Sequence, residues 1–173
     1  EEPARQIELD ARGRLVVRGL DDDEPLADQV VPGDATRSGS VRAGLAAVPA
    51  DAEVILVHDG ARPLAPPDLF ADVVAHVRAG ADAVVPAVPV TDTVRSRTNG
   101  VVDRADLVLV QTPQAFRAAA LRAAHAGGGE ATDDASLVEA AGGKVVVVDG
   151  SAENLKITNP HDLAVAEALL RAR

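Results

Sequence analysis

A chain of 173 residues has the length of one domain with a sizeable core. Apolar residues make up 47% of it, overwhelmingly Ala, Val and Leu, with two Phe and no Trp, Tyr, Met or Cys, so the core is expected to be built from small branched side chains, and a disulfide framework or thiolate metal site is excluded. Seventeen Lys and Arg against 27 Asp and Glu give a net charge of −10 without a basic block, which argues against a nucleic-acid or anionic-membrane surface but allows a small phosphorylated ligand held by a few cations in a cleft.

Residues 1–31 are the least readable stretch. Gln6 to Leu9 and Leu15 to Arg18 pair as a short hairpin across Asp10 to Arg14, and the acidic run Asp21 to Glu24 then breaks the pattern. Pro32 to Ser40 is a loop of small and hydroxylated residues leading into a helix over Val41 to Val48, with Ser38 or Ser40 as its N-cap and Val41, Leu45 and Val48 on one face. Val54 to Val57 is uncharged and rich in β-branched residues, the pattern of a strand buried on both faces, and it ends at His58 and Asp59. Ligands of open α/β sheets bind outside the carboxyl ends of strands. Asp59 there can hold a hydroxyl or a divalent cation, and Arg62 can hold phosphate through its planar fork. A turn-capping Asp59 with a solvated Arg62 is the alternative that this pattern alone leaves open.

Pro66 and Pro67 open a helix to about Arg78, with Leu69, Val73, Val74 and Val77 as its buried stripe, and Ala83 to Val88 is another apolar strand. Strand, helix and strand at this spacing predict a right-handed crossover and a parallel sheet. Residues 94–110 read as extended arms around the Asn99-Gly100 turn, a projecting hairpin whose edges and apolar residues a second subunit would cover. After Gln111-Thr-Pro-Gln114, a helix is expected over Ala115 to His125. Thr132 is expected to cap a further helix, with Asp133 and Asp134 against its dipole. Lys144 to Val148 and Asn154 to Thr158 read as strands, and Pro160 to Arg171 as the closing helix. Alternation puts Lys156 on the face opposite Leu155 and Ile157, where Glu153 is a candidate partner and an exposed surface lysine is the commoner outcome of such a pattern. No repeat or linker divides residues 1–173. No apolar run reaches the length of a membrane span and the acidic start is not a signal peptide, so the expected address is cytoplasmic.

Six stretches, His58-Asp-Gly-Ala-Arg-Pro63, Val88-Pro-Val-x-Asp-Thr93, Val102-Asp-Arg104, Gln111-Thr-Pro-Gln114, Thr132-Asp-Asp-Ala-Ser136 and Asn154-Leu-Lys-Ile-Thr158, together resemble 2-C-methyl-D-erythritol 4-phosphate cytidylyltransferase, in the family's order and at near-family spacing over residues 32–173. The resemblance implies a Rossmann-like three-layer α/β/α nucleotidyltransferase fold with a projecting β-arm, and a homodimer formed through that arm. It implies transfer of a cytidylyl group from CTP to 2-C-methyl-D-erythritol 4-phosphate in the non-mevalonate route to isoprenoids, with Mg2+ or another divalent cation. By the same resemblance Lys156 and Arg104 are the catalytic pair, the first bridging the two substrates' phosphates and the second reaching the sugar phosphate in the neighbouring subunit. Arg62, Thr93, Thr112 and Thr132 match the methylerythritol phosphate pocket, Asp59 and Gly60 the ribose and metal, and Ser40 the cytosine edge. Ribitol 5-phosphate cytidylyltransferase is the nearest alternative, and a sugar-phosphate-binding dimer without transfer activity is the non-enzyme one.

Two departures from the family pattern stand out. The family opens with a strand and a Gly-rich loop whose arginine and lysine wrap the triphosphate. Here the only early glycines are Gly13 and Gly19, no Pro-Lys pair occurs, and the only lysines are Lys144 and Lys156. The chain is therefore expected to be either a fragment whose loop is encoded upstream of Glu1 or a divergent copy, and to lack a central strand. The second departure is Asp34, which stands where the family usually has the second glycine of a pair.

Overall fold

The computed structural model describes residues 5–9, 14–19 and 29–173. Strands β1 (Arg5–Leu9) and β2 (Arg14–Gly19) form the expected hairpin, an antiparallel ladder with Leu9 opposite Leu15. The acidic run from Asp21 to Glu24 lies outside the described residues. On its other side β1 pairs in parallel with β4 (Val54–Asp59), Leu9 opposite Asp59. Strand β1 thus lies between β4 and β2 inside the sheet. Strand β3 (Gln29–Pro32) pairs antiparallel with β2.

Helix α1 (Arg37–Ala47) begins four residues earlier than the apolar periodicity indicates, because Thr36 is its N-cap: the threonine hydroxyl accepts from Gly39 N–H. Ser38 and Ser40, expected as caps, are buried inside the first turn. Helix α2 (Pro67–Arg78) follows β4 with a proline at its first position, Asp68 in its first turn and His76 and Arg78 in its last, all favourable against the helix dipole. It leads to β5 (Ala83–Pro89).

Strands β4 and β5 run in the same direction but are not neighbours. Strand β9 (Gln114–Arg117) lies antiparallel between them, with Phe116 opposite both Ile55 and Ala83. The helix expected from Ala115 therefore begins only at Ala118, as α3 (Ala118–Ala126). The helix preference of alanine is worth under about 1 kcal/mol per residue. Completing two ladders while burying Phe116 outweighs it, since removing such a side chain from a core costs about 3–5 kcal/mol.

The remaining elements complete an eight-stranded sheet and its cover. A separate hairpin, β6 (Val94–Ser96) with β7 (Gly100–Val102), forms the arm, and Gly100 takes the positive φ of +83° that its turn requires. Strand β8 (Val108–Val110) returns from the arm onto the end of β5. Helix α4 (Asp134–Ala140) precedes β10 (Val145–Asp149), which pairs in parallel with β5, and α5 (Pro160–Ala172) closes the chain behind a capping box of Asn159 and Asp162. Residues 154–158, expected as a strand, form none. Ile157 N–H reaches the Ala61 carbonyl, and the stretch is an irregular segment lying against the β4–α2 connection.

The sheet order is β10-β5-β9-β4-β1-β2-β3. Its inner residues alternate between two cores. Ile55, Val57, Val85 and Phe116 pack with Val41, Leu45, Leu121 and Val138 of α1, α3 and α4, whereas Val54, Leu56, Val84 and Ala115 pack with Val73, Val74 and Val77 of α2. This is the three-layer α/β/α arrangement, and each fully buried Val or Leu contributes about 1.5–3 kcal/mol. The ends of β4, β5 and β10 and the beginning of β9 meet at one rim. Among the described residues no helix is long and apolar enough to cross a membrane.

Candidate active site

At that rim the two ladders of β9 stop. Gln114, opposite Val57, is the first residue of the strand, and Gln111 to Pro113 bridge it to β8. A cavity of about 550 Å³ opens there, lined by Asp59 and Arg62 from the end of β4, Gln111, Thr112 and Gln114 from the β8–β9 junction, Thr132, Asp133 and Ser136 from the start of α4, Lys156 from the irregular segment, and Arg37 from α1. Five residues singled out from sequence, Asp59, Arg62, Thr112, Thr132 and Lys156, thus come together from four separate stretches.

Asp59 is the hub of their electrostatics. Its Oδ2 lies 2.9 Å from Lys156 Nζ and 3.6 Å from Arg62 Nε. Lys156 pairs with Asp59 and not with Glu153, because Glu153 is taken by Arg173 at 2.8 Å. Arg62 also donates through Nη1 to the Asn154 carbonyl at 2.7 Å. Burial lowers the Arg62 pKa below its ordinary value, with Asp59 acting in the opposite sense. Its buried Nε makes no hydrogen bond. The backbone of Asp59 is fixed as well: its N–H donates to Thr112 Oγ1 at 3.0 Å, and that hydroxyl lies 3.0 Å from His58 Nδ1. His58 Nε2 faces the Arg62 carbonyl at 3.3 Å. A carbonyl only accepts, so Nε2 carries the proton, and in the neutral ring Nδ1 accepts from Thr112. The Thr112 hydroxyl is therefore committed to positioning Asp59, while the exposed Thr132 hydroxyl is not committed to capping. The N-cap of α4 is Asp133, which accepts from Ser136 N–H at 3.1 Å and leaves Thr132 outside the helix.

Two charged residues join the wall that the sequence does not place there: Arg37, which it does not single out, and Asp133, which it reads only as favourable to a helix dipole. Arg37 lines the cavity with its Nη2 held 2.7 Å from Asp134 Oδ2. Asp134 is fully buried, and its Oδ1 meets His125 Nε2 at 2.9 Å. Burial works to raise the Asp134 pKa, but the His125 hydrogen bond and Arg37 outweigh it and hold the carboxyl below its usual range. Asp133 is the second, its Oδ2 receiving Gln114 Nε2 at 3.3 Å. Thr36, a strong capping type, marks the helix start at Arg37, but the place of Arg37 at the cavity is set by Asp134 far along the chain.

The remaining candidates lie elsewhere. Thr93 and Arg104 line a separate cavity of about 440 Å³ on the arm, with Val101, Val102 and Asp103, and Arg104 Nη1 bonds the Thr91 carbonyl. Gly60 is half-buried after β4 and lines neither cavity. Ser40 is buried, and its Oγ accepts from Asp34 N–H at 2.9 Å and donates to the Asp34 carbonyl at 3.3 Å, so it shapes the Gly33–Asp34 loop. Asp34 packs against Gly39 so tightly that a Cβ there would stand 2.5 Å from its Oδ2.

Comparison with known proteins places this geometry. The family model for IspD, 2-C-methyl-D-erythritol 4-phosphate cytidylyltransferase, matches residues 15–172. A bifunctional IspD/IspF enzyme of Clavibacter michiganensis is 54% identical over 147 residues, 82% of this chain and 36% of that protein. The 2-C-methyl-D-erythritol 4-phosphate cytidylyltransferase of Nocardia farcinica is 54% identical over 150 residues, 84% of this chain and 65% of that protein. The chain thus spans less than two thirds of the length of these relatives. Among solved structures, the cytidylyltransferase of the same name from Thermus thermophilus superimposes with a TM-score of 0.75 at 41% identity, over 88% of this chain and 78% of that one. The 4-diphosphocytidyl-2C-methyl-D-erythritol synthase of Anaerococcus prevotii gives 0.75 at 34% identity, over 82% and 69%.

Proposed function

The chain belongs to the IspD family, 2-C-methyl-D-erythritol 4-phosphate cytidylyltransferase, and from that premise we propose that it joins CTP and 2-C-methyl-D-erythritol 4-phosphate. A phosphate oxygen of the sugar alcohol bonds to the α-phosphorus of CTP while the bond from that phosphorus to the bridging oxygen of the β-phosphate breaks, and pyrophosphate leaves. A phosphate monoester is already ionised near neutral pH, so no general base is needed. The task is to bring two polyanions together and to hold the charge that develops between them.

The observation that carries this reading is the convergence of Asp59, Arg62, Thr112, Thr132 and Lys156 on one cavity. Lys156, half exposed and paired with Asp59, brings its ammonium to the bridging phosphates. Arg62, anchored through one Nη1 bond, presents the rest of its fork to the sugar phosphate. The Thr132 hydroxyl meets the alcohol groups, and Thr112 keeps Asp59 in place. Gly60 and Ser40 keep the ribose and cytosine roles that the resemblance gives them, from positions outside the lining of this cavity.

One carboxylate is a poor cage for a metal by itself, and among the described residues no group of three His, Asp or Glu side chains converges. It suits Mg2+, which is commonly held by one or two carboxylates together with substrate phosphates and water. Asp59 would be the residue that holds such an ion, which would supply charge neutralisation at the phosphates.

Arg104 and Thr93 stand apart on the arm and serve the site of a second copy. The arm carries Val101, Leu107, Val108, Leu109 and Val110 exposed, apolar surface that a homodimer would cover. The proposed address is the cytoplasm, where both ionised substrates dissolve.

The test is pyrophosphate release from CTP in the presence of Mg2+ and each sugar phosphate in turn. Release dependent on 2-C-methyl-D-erythritol 4-phosphate and not on ribitol 5-phosphate is expected. A chain that neither releases pyrophosphate nor binds the methylerythritol phosphate overturns the reading.

A further inference from the structure

Two buried amide side chains, Gln111 and Asn154, connect the β8–β9 junction to the segment that carries Lys156. Gln111 Nε2 donates to the carbonyls of Ser151 at 2.9 Å and Asn154 at 3.4 Å, and its Oε1 accepts from Ser151 N–H at 3.1 Å and Asn154 Nδ2 at 3.3 Å. Asn154 Nδ2 also donates to the Thr112 carbonyl at 2.8 Å. Two acceptors face one end of the Gln111 amide and two donors face the other, so only one orientation satisfies it. The chain is drawn close enough at this point that a Cβ on Gly150 would stand 2.5 Å from Gln111 Oε1 and 3.0 Å from the Ala87 carbonyl. Asn154 is 0% exposed; its Nδ2 is paired twice while its Oδ1 has no partner among the described residues, so the two Nδ2 bonds are what hold it, and losing them at a buried site is costly. The clamp therefore specifies one path for residues 150–154.

That path ends at the cavity's cations. The carbonyl of Asn154 receives Arg62 Nη1, and Lys156 follows two residues later, within reach of Asp59. We propose that Gln111 and Asn154 are positioning residues which set Lys156 and Arg62 at a fixed separation, so that one phosphorylated ligand meets both. Gln111 lines the cavity, but both ends of its amide are occupied by the chain, so the two amides act through the cations. The identity of that ligand rests on the functional reading above, whereas the clamp rests on the geometry of the chain alone.

The test uses the two lysines as reporters. In the full chain labelled with 13C-lysine, the side chains of Lys144 and Lys156 give two Cε signals; Lys144, exposed at the entrance to β10, marks the position of an unrestrained lysine, and urea unfolding of each variant reports its folding. In Gln111→Ala, Asn154→Ala and their pair, the Lys156 signal is expected to collapse onto the position of a freely rotating lysine while Lys144 stays in place. Gln111→Ala leaves Asn154 its bond to Thr112, and so keeps the comparison available where Asn154→Ala does not fold. Lys156 signals unchanged in folded Gln111→Ala protein overturn the proposal.

A second measurement separates positioning from general support. Affinity for 2-C-methyl-D-erythritol 4-phosphate is expected to fall at least tenfold in Gln111→Ala, and by less than twofold when the same change is made in a Lys156→Ala, Arg62→Ala background. Equal losses in both backgrounds overturn the proposal. A wild-type chain whose Lys156 signal does not respond to this sugar phosphate overturns the functional reading instead, and the positioning claim is then decided by the lysine signals of the unliganded variants.

Discussion

Lys156 Nζ lies 2.9 Å from the same oxygen of Asp59 that faces Arg62 Nε at 3.6 Å. One carboxylate oxygen thus stands between two cations, and in the unliganded cavity it offsets only part of their charge. A phosphate arriving with two charges competes with Asp59 for both. Lys156, 47% exposed at its side chain, is the more accessible of the two, whereas Arg62 is also bonded to the Asn154 carbonyl.

Lys156→Ala is accordingly expected to lower the rate of pyrophosphate release by about 10²–10³-fold, the usual loss when one donor to a developing anion is removed. The fold should hardly notice, since exposed pairs of this kind contribute about 0–1 kcal/mol. Turnover and thermal unfolding measured on the same preparation check both halves. A rate near that of the wild type would remove Lys156 from the role proposed for it.

Asp59→Asn separates the two tasks given to that carboxylate. Losing the charge frees Lys156 and Arg62, so binding of the sugar phosphate in the absence of metal should be unchanged or tighter. The Mg2+ concentration needed for half-maximal turnover should rise at least about tenfold, the scale of an ion whose protein ligand has lost its charge. Calorimetric binding without metal and a magnesium titration of turnover are the paired measurements. Weaker metal-free binding would show that Asp59 organises the two cations more than it competes for them.

How far the sequence could be read depends on whether a residue's role is local. Val54 to Val57 and the α2 stripe of Leu69, Val73, Val74 and Val77 were legible, because periodicity and the prolines before the helix are local signals. Ala115 to Arg117 was not, because only the gap between β4 and β5 makes an alanine-rich stretch a strand. Asn154 to Thr158 alternates like a strand, but no neighbouring strand completes a ladder with it. Within the site, Asp59 and Arg62 announce themselves at the end of a buried strand. Arg37 does not, since its place at the cavity depends on Asp134, 97 positions later in the chain. Gln111 and Asn154 were legible only as family motif positions, and their mutual hydrogen bonds required the fold.

The Asp134 cluster carries a pH signature. The folded pKa of this carboxyl is held below its unfolded value by His125 and Arg37 against the opposing effect of burial. The stability it contributes is therefore fully present above the unfolded value, near 3.8, and is lost as pH falls through the folded value. Asp134→Asn should destabilise the chain at neutral pH by roughly 2–4 kcal/mol, below the usual upper range for a broken buried pair because Arg37 keeps some access to water. The difference between wild type and variant should shrink below pH 4. Urea unfolding at pH 7 and pH 3 measures it, and a pH-independent difference would mean that packing, not charge, is what Asp134 provides.

Arg104 allows the proposed dimer to be examined without a structure of it. If the arm serves the neighbouring copy, each site draws Lys156 from one chain and Arg104 from the other. Lys156→Ala and Arg104→Ala homodimers should both be nearly inactive. Co-expressed, they pair at random, so about half of the dimers are mixed, and each mixed dimer has one site with both residues changed and one with both intact. About a quarter of wild-type turnover should return, with the sugar-phosphate KM of the wild type, because the surviving sites are chemically complete. An arm folded onto its own cavity leaves every site short of one cation whatever the pairing, and no activity would be recovered. The sedimentation of the separate variants as dimers is the control that assigns a null result to geometry and not to failed assembly.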